Sequence, residues 1–438
     1  MPKKATKTSK ALQRAGIDIP DGGGMNIAAI FNKAIAKVAK THEKDITALD
    51  ANRVAALVGI PLGHLSLEML FTENVLALGR VMCFDGVPET CKTSLLWEMC
   101  RLFHKASGDV VIMDTEKKQT ESLGPSIVGH DMWSKVNYTT ASSTEEAYQL
   151  FTVLLDGYDE QVKETGKRVP ILLGMDSISG AVALDDRKKI DETGTSSRGW
   201  ATNALLAARY LPYFASRLGN LPINFIAIRH VREVEQNHIK SLEAKGGTQW
   251  GYSANKTFRL ARDGTPIDKV GSGGRSLLIH LLKGRGERLR VPVTMEWYGS
   301  PDETGKYQQY TRWGWPEATL KILTDPDKYR MSQRYKRAVK EILGAMPVKA
   351  GKVSCQALGV TDVNAVEFEE ALYAPANISI LTAVRTALGI ATGQEFRGGD
   401  DFDEKKTLQR GIMLSRRDRP NAAAPEPEQK TTKPSVRK

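Results

Sequence analysis

The sequence predicts an α/β fold, a mostly parallel twisted sheet with helices packed against it. Short apolar runs alternate with longer helical stretches between residues 58 and 300, which is typical of parallel strands joined by crossover helices. The clearest runs cover residues 81–84, 110–113, 171–173 and 223–228. Two later runs, 276–282 and 290–297, lie close together and predict a hairpin or an antiparallel edge.

The rest of the chain divides by composition. Lysine-rich residues 1–24 predict a flexible basic arm, and apolar spacing predicts a helical oligomerisation segment over 25–57. That helix could instead pack on its own domain. The predicted core covers 58–315, and helical patterns predict a small C-terminal domain over 316–392. Polar, proline-rich residues 393–438 predict a disordered tail.

Composition narrows the functional classes. The net charge of +11 favours polyanionic partners, nucleic acid before membrane. Apolar runs stay below the roughly 18 residues that cross a bilayer, and we expect no membrane partner. The basic start is not followed by an apolar stretch, so it does not predict a secretory signal. The four cysteines have no paired spacing, which predicts a reducing cytoplasm.

A phosphate-binding loop is predicted directly after the first apolar run. The segment lies between a strand and a helix. It follows the P-loop pattern, which is a glycine, four residues of any kind, a second glycine, a lysine and a serine or threonine. Cys91 stands where the second glycine belongs. Backbone amides would cradle phosphates, Lys92 would reach the outer phosphates, and Thr93 would ligate magnesium. The predicted nucleotide-binding residues are Gly86, Val87, Pro88, Glu89, Thr90, Cys91, Lys92, Thr93 and Ser94.

Acidic residues end two further strands. Asp176 follows the run at 171–173, and Glu116 follows the run at 110–113. Because the carboxyl ends of adjacent parallel strands converge, both are expected near the loop. Asp176 fits a carboxylate beside magnesium, together with Thr93, and Glu116 fits a general base. His230, after a fourth strand, could sense the terminal phosphate or simply pack locally.

These motifs resemble the RecA recombinase family, including phage members of the UvsX type, over about residues 65–297. Asp114-Thr-Glu116 resembles the family's Asp-Ala-Glu, which gives Glu116 the role of activating water. Met175-Asp176-Ser177 resembles the family's Val-Asp-Ser at its Walker B motif. His230 replaces the glutamine that couples nucleotide to DNA. The resemblance implies catalytic roles for Glu116, Lys92 and His230, with ATP and Mg²⁺ as cofactors.

Two DNA-binding loops follow from the same resemblance, at about 185–198 and 232–252. Their basic residues would contact phosphates, their glycines would allow close approach, and an aromatic would stack on bases. The open alternative is that both are mobile surface loops with solvated lysines. The candidate residues are Arg187, Lys188, Lys189, Arg198, Arg232, Lys240, Lys245, Gly246, Gly247 and Trp250.

Lys283 and Arg285 resemble a basic pair that reaches ATP on a neighbouring subunit, or they belong to a plain basic turn. The expected function is an ATP-dependent filament on single-stranded DNA that pairs it with a homologous duplex. The expected partners are therefore DNA and further copies of this chain, with a single-strand-binding protein and a loading mediator as candidates. A ring helicase, and a coating protein with turnover lost through Cys91, stay open as alternatives.

Overall fold

The structure is a computed structural model that describes residues 57–397, apart from 118–121, 194–198, 220, 237–238, 270–271, 285–289, 302–306, 326, 330–332, 345, 347 and 350. The predicted arm 1–24 and all but the last residue of the segment 25–57 lie outside the described residues. Residues 398–438 of the predicted tail do so as well.

Most strands of the described chain belong to one ten-stranded mixed sheet. The strands are β1 (Val58–Pro61), β2 (Val75–Ala77), β3 (Val81–Gly86), β4 (Asp109–Asp114), β5 (Val136–Thr140), β6 (Ile171–Asp176), β7 (Ile223–Gln236), β8 (Ile239–Ala244), β9 (Lys256–Lys269), β10 (Ser272–Lys283), β11 (Arg290–Pro301), β12 (Tyr307–Trp313), β13 (Val348–Lys349), β14 (Lys352–Cys355), β15 (Val360–Val363) and β16 (Gln394–Glu395).

The large sheet runs in the order β12-β11-β10-β9-β3-β7-β6-β4-β5, with β8 paired to β7. Pairing is parallel from β9 through β3, β7, β6 and β4 to β5. It is antiparallel from β9 to β12 and between β7 and β8. The predicted α/β class is confirmed as a mixed fold, and the predicted antiparallel pairing of the two later runs is confirmed in β10 and β11.

Helices cover both faces of the sheet. They are α1 (Leu65–Phe71), α2 (Lys92–Lys105), α3 (Leu123–Val128), α4 (His130–Trp133), α5 (Thr144–Thr165), α6 (Leu184–Thr193), α7 (Gly199–Leu218), α8 (Gln249–Ser253), α9 (Trp315–Thr324), α10 (Gln333–Leu343), α11 (Ala365–Tyr373) and α12 (Ile378–Ala387). None of the described helices is both long and apolar enough to span a membrane.

Alternate residues of the central strands serve two cores. In β3, Val81 and Cys83 pack with Phe151 of α5 and Phe214 of α7. The next residues along β3 pack in the other core, with the apolar side chains of α2. Strands buried on both faces need apolar residues at successive positions, which explains the unbroken apolar runs of the sequence.

Helices α9 to α12 form in the region of the predicted C-terminal domain, 316–392, together with strands β13, β14 and β15. The described residues 57–397 belong to one compact unit, so this region is not a separate body from the core. Ser66 Oγ of α1 donates to the Trp315 carbonyl over 2.8 Å, and Arg385 Nε of α12 donates to Glu68 over 2.8 Å. β16, inside the predicted tail, pairs with β1. Buried polar contacts therefore join this region to the core.

Candidate active site

The predicted phosphate loop joins β3 to α2 as a tight turn. Two of its residues adopt left-handed backbone conformations, Glu89 at φ 59° and Cys91 at φ 58°. A Cβ on Gly86 would lie 2.4 Å from Thr90 Oγ1 and 2.9 Å from the Leu260 carbonyl oxygen. The first glycine is thus required for space, whereas the second glycine position keeps a glycine-like conformation with a cysteine in it.

The Cys91 side chain packs against the apolar core behind α2. Burial raises the pKa of this thiol to about 11. A neutral thiol is a weak nucleophile, so Cys91 has a structural place in the loop rather than a reactive one.

Lys92 begins α2 and lies under the loop. Its side chain is buried, and Nζ donates to the Val87 carbonyl oxygen over 2.7 Å. Burial lowers the pKa of Lys92, and the nearby carboxylates of Asp176 and Glu116 oppose that shift. The predicted lysine and both predicted acids therefore share one electrostatic environment.

Thr93 and Asp176 are in direct contact. Thr93 Oγ1 donates to Asp176 Oδ2 over 2.6 Å. Asp176 ends β6 beside Asp114, its partner on β4. The pKa of Asp176 is raised to about 6: burial is the main cause and Glu116 and Asp114 add to it, against the Thr93 hydrogen bond and Lys92, which lower it. A cation beside this carboxylate would favour its ionised form.

Glu116 is held by two neighbours. His230 Nε2 lies 2.6 Å from Glu116 Oε1, and the Ser177 hydroxyl donates to the same oxygen. Asp114 Oδ1 accepts the Glu116 backbone N–H over 2.8 Å, which fixes the turn after β4. His230 pairs with Gly86 in the ladder between β7 and β3, so the histidine lies at the start of the loop.

The donor set suits a small hard cation. A threonine hydroxyl and a carboxylate are oxygen ligands of the kind Mg²⁺ prefers when substrate phosphates and water complete its shell. In the described part of the chain, no three or more histidine, cysteine or acidic residues are placed so that they could hold a metal ion by themselves. The residues therefore fit Mg²⁺ bound together with a phosphate, rather than a metal cage formed by protein alone.

A buried ion pair beneath the loop was not predicted from the sequence. Arg229 donates two hydrogen bonds to Asp85, of 2.7 and 2.6 Å, and Arg259 lies 3.9 Å from the same carboxylate. The three residues are aligned on neighbouring strands, one position before the loop and before His230. The sign of this ion pair in the sequence was Asp85, a charged residue in the otherwise apolar strand β3.

A second unpredicted contact lies at the tip of the loop. Arg262 of β9 forms an ion pair with the Glu89 carboxylate. Arg275 of β10 donates to the Glu89 carbonyl oxygen over 2.9 Å. The loop tip is therefore surrounded by guanidinium groups of its own subunit.

The first predicted DNA loop is largely a helix. Residues 184–193 form α6, which exposes Arg187, Lys188 and Lys189. The helix also carries four acidic residues, so its charges nearly balance. Arg198 lies outside the described residues.

The second predicted DNA loop is a hairpin followed by a short helix, because β7 and β8 pair across residues 231–244. Arg232 bonds Glu243 on the opposite strand over 2.9 Å. The Lys245 backbone N–H donates to the His230 carbonyl oxygen over 2.9 Å, so the hairpin returns to the candidate site. Lys240 lies on β8, and its side chain is outside the described set.

Three residues assigned to DNA contact instead serve packing. Trp250 is fully buried, with its ring 5.7 Å from that of Phe225, so stacking on a base is wrong for this conformation. Gly246 and Gly247 have φ of 98° and 88°. Their added Cβ atoms would lie 2.9 Å from Ile178 and 2.7 Å from Ala204, so these glycines allow close packing within the protein.

Lys283 bonds within its own subunit. Its Nζ donates to the carbonyl oxygens of Gly251 and Tyr252 over 2.7 and 2.9 Å, at the C-terminal end of α8. Arg285 lies outside the described residues. The structure thus gives Lys283 a helix-capping contact in the single subunit.

Comparison with known proteins adds no family assignment. The chain matches no protein-family model, and no curated protein matches it either.

Proposed function

We propose that this chain is an ATP-dependent DNA recombinase of the RecA type, which forms a filament on single-stranded DNA. The observation that carries the proposal is the contact between Thr93 and Asp176, with Lys92 beside it. A lysine and hydroxyl at a helix start, facing an acidic strand end, are the parts that phosphoryl transfer requires.

The side chains divide the chemistry among them. Lys92 would neutralise the outer phosphates, and Thr93 and Asp176 would hold Mg²⁺, which supplies charge neutralisation when bound. Glu116 would take a proton from the water that attacks the terminal phosphorus, as the bond to the leaving diphosphate breaks.

His230 would couple that site to DNA. While His230 and Ser177 both bond Oε1, that oxygen of Glu116 is occupied and does not face a water molecule. A shift of β7 that releases His230 would free the oxygen to accept a proton from water. The same strand continues into the hairpin with β8, which was expected to contact DNA.

DNA binding would rest on phosphate contacts. The exposed basic side chains of α6 and of the hairpin, including Arg187, Lys188 and Arg232, are the described candidates. Bases would stay free to pair with a homologous duplex, and the reaction would take place in the cytoplasm, which is that of a bacterial host if the chain is encoded by a phage. Affinity should fall steeply with salt because counterions are released when phosphates are bound.

Electron microscopy with single-stranded DNA and a non-hydrolysable ATP analogue tests the proposal. We expect open filaments that need the analogue and disperse as salt rises. Lys92→Ala should abolish them, whereas Lys105→Ala, an exposed lysine at the other end of α2, should not. DNA binding indifferent to both ATP and salt would contradict the proposal, and closed hexamers that unwind duplexes would support a helicase.

A second candidate is a DNA-coating protein of the same fold with lost turnover. The left-handed Cys91 at the helix start is the observation that favours it. ATP hydrolysis by the natural chain and by Cys91→Gly separates the two. A silent natural chain and a large gain in the variant would support the coating protein, and ready hydrolysis by the natural chain would discard it.

A further inference from the structure

A group of three residues at the loop tip, which we call the Glu89 cluster, has no role in the mechanism above. It consists of Glu89, Arg262 and Arg275. Arg262 forms an ion pair with the Glu89 carboxylate, and Arg275 lies 3.6 Å from a carboxylate oxygen and 2.9 Å from the carbonyl oxygen. Glu89 belongs to the phosphate loop, whereas the arginines come from β9 and β10.

The Glu89 cluster lies on the same short loop as the lysine that is expected to hold the outer phosphates. In a P-loop the lysine reaches the β- and γ-phosphates, and here Lys92 Nζ bonds the Val87 carbonyl oxygen. Val87 and Arg262 also line one cavity of about 360 Å³. Arg275, Lys92 and Arg262 all act electrostatically on Cys91, so the two arginines and the phosphate-binding lysine surround the same turn.

The charges near the loop favour an anion there. Asp85 is already matched by the bidentate Arg229, with Arg259 as an additional cation. Glu89 is then the acidic residue that contacts both Arg262 and Arg275 in the described part of the chain. More guanidinium than carboxylate charge surrounds this part of the loop.

The contact with Glu89 is easy to exchange. The Arg262 and Glu89 side chains are 50% and 66% exposed, and ion pairs as exposed as this contribute little to stability. A triphosphate carries more charge than one carboxylate, and the planar guanidinium matches phosphate oxygens in a bidentate manner. Phosphate should therefore replace Glu89 as the partner of these arginines.

We propose that Arg262 and Arg275 are additional phosphate ligands from the same subunit. Glu89 is their partner until a nucleoside triphosphate displaces it. This inference rests on the proposed ATP site. This inference and a purely structural role of the cluster predict opposite effects of neutralising Glu89 on ATP binding. If Glu89 competes with phosphate, its neutralisation strengthens ATP binding; if the cluster only stiffens the loop, neutralisation weakens it.

Equilibrium binding of fluorescent ATP and ADP analogues without DNA tests the inference. Arg262→Ala should weaken ATP binding about tenfold, the worth of one charged hydrogen bond, and weaken ADP binding less. Arg275→Ala should act in the same direction. Glu89→Gln should tighten ATP binding about threefold, by removing the competing charge.

Arg312 and Glu317 provide matched controls. They form an exposed ion pair of the same kind on another part of the chain, 42% and 36% exposed. Arg312→Ala and Glu317→Gln should leave nucleotide binding unchanged, and thermal unfolding should show that all five variants fold.

Two results would overturn the inference while leaving the ATP site intact. One is that the natural chain binds ATP and the Arg262→Ala variant binds it equally well. The other is a Glu89→Gln variant that loses affinity as the arginine variants do. A natural chain that binds no ATP at all would end the proposed function and this inference with it.

Discussion

At the scale of single residues, the phosphate loop holds Cys91 in a left-handed backbone conformation. Cys91 has φ 58° and ψ 30°, the conformation that glycine adopts most readily. A left-handed residue with a Cβ costs roughly 1–2 kcal/mol. Packing of the thiol against the core offsets part of this cost.

The effect of a substitution at Cys91 on stability should therefore depend on the backbone preference of the new residue more than on its side-chain chemistry. We expect Cys91→Gly to change the free energy of unfolding by less than about 1 kcal/mol, because relief of strain offsets lost packing. Cys91→Val should destabilise by about 2 kcal/mol, since β-branched residues tolerate this conformation poorly. Urea unfolding measures both. Equal losses in the two variants would refute the backbone explanation.

At the scale of elements, the segment after His230 is built as a hairpin and a packed helix rather than as a loop. Its glycines lie where the chain turns back onto α7 and β7, with Trp250 in the core behind them. The hairpin is therefore joined rigidly to the strand that carries His230, and movement of one should move the other.

Gly247→Ala tests this packing. The new Cβ would lie 2.7 Å from Ala204 Cβ, too close for two carbon atoms. Gly264→Ala is the matched control, because Gly264 also has positive φ, of 95°, but open space around it. We expect Gly247→Ala to cost about 1–2 kcal/mol more than the control, through overpacking. Equal unfolding free energies in urea would show that the backbone conformation alone matters.

The sequence allowed prediction of elements that depend on local pattern. Apolar runs predicted β3, β4, β6 and β7, and their polar ends predicted that Glu116 and Asp176 would lie near Lys92. The hairpin was missed because its glycines and lysines have the composition of a mobile loop. The contacts of Asp85 with Arg229, and of Glu89 with Arg262, depend on strand register, which spacing along the chain does not reveal.

At the scale of the whole molecule, buried polar groups unite the C-terminal helices with the core. Glu68 of α1 accepts two hydrogen bonds from Arg385 of α12 and one from the Tyr373 hydroxyl. Glu369 of α11 accepts the Leu65 backbone N–H over 3.0 Å. These side chains cannot separate without exposing unpaired charge, so we expect residues 57–397 to unfold cooperatively.

Arg385→Ala tests this coupling at its strongest contact. Burial raises the pKa of Glu68, and Arg385 opposes that shift, so removing the arginine leaves a buried carboxyl without its cation. Breaking such a pair costs about 3–5 kcal/mol. Arg232→Ala, which breaks an exposed pair with Glu243, should cost less than about 1 kcal/mol. Fluorescence and circular dichroism should follow one shared urea transition in the natural chain, shifted to lower urea by Arg385→Ala. A buried ion pair shared by two parts of the chain makes them unfold together. Two separate transitions in the natural chain would therefore contradict the coupling and would mean that the C-terminal helices fold independently.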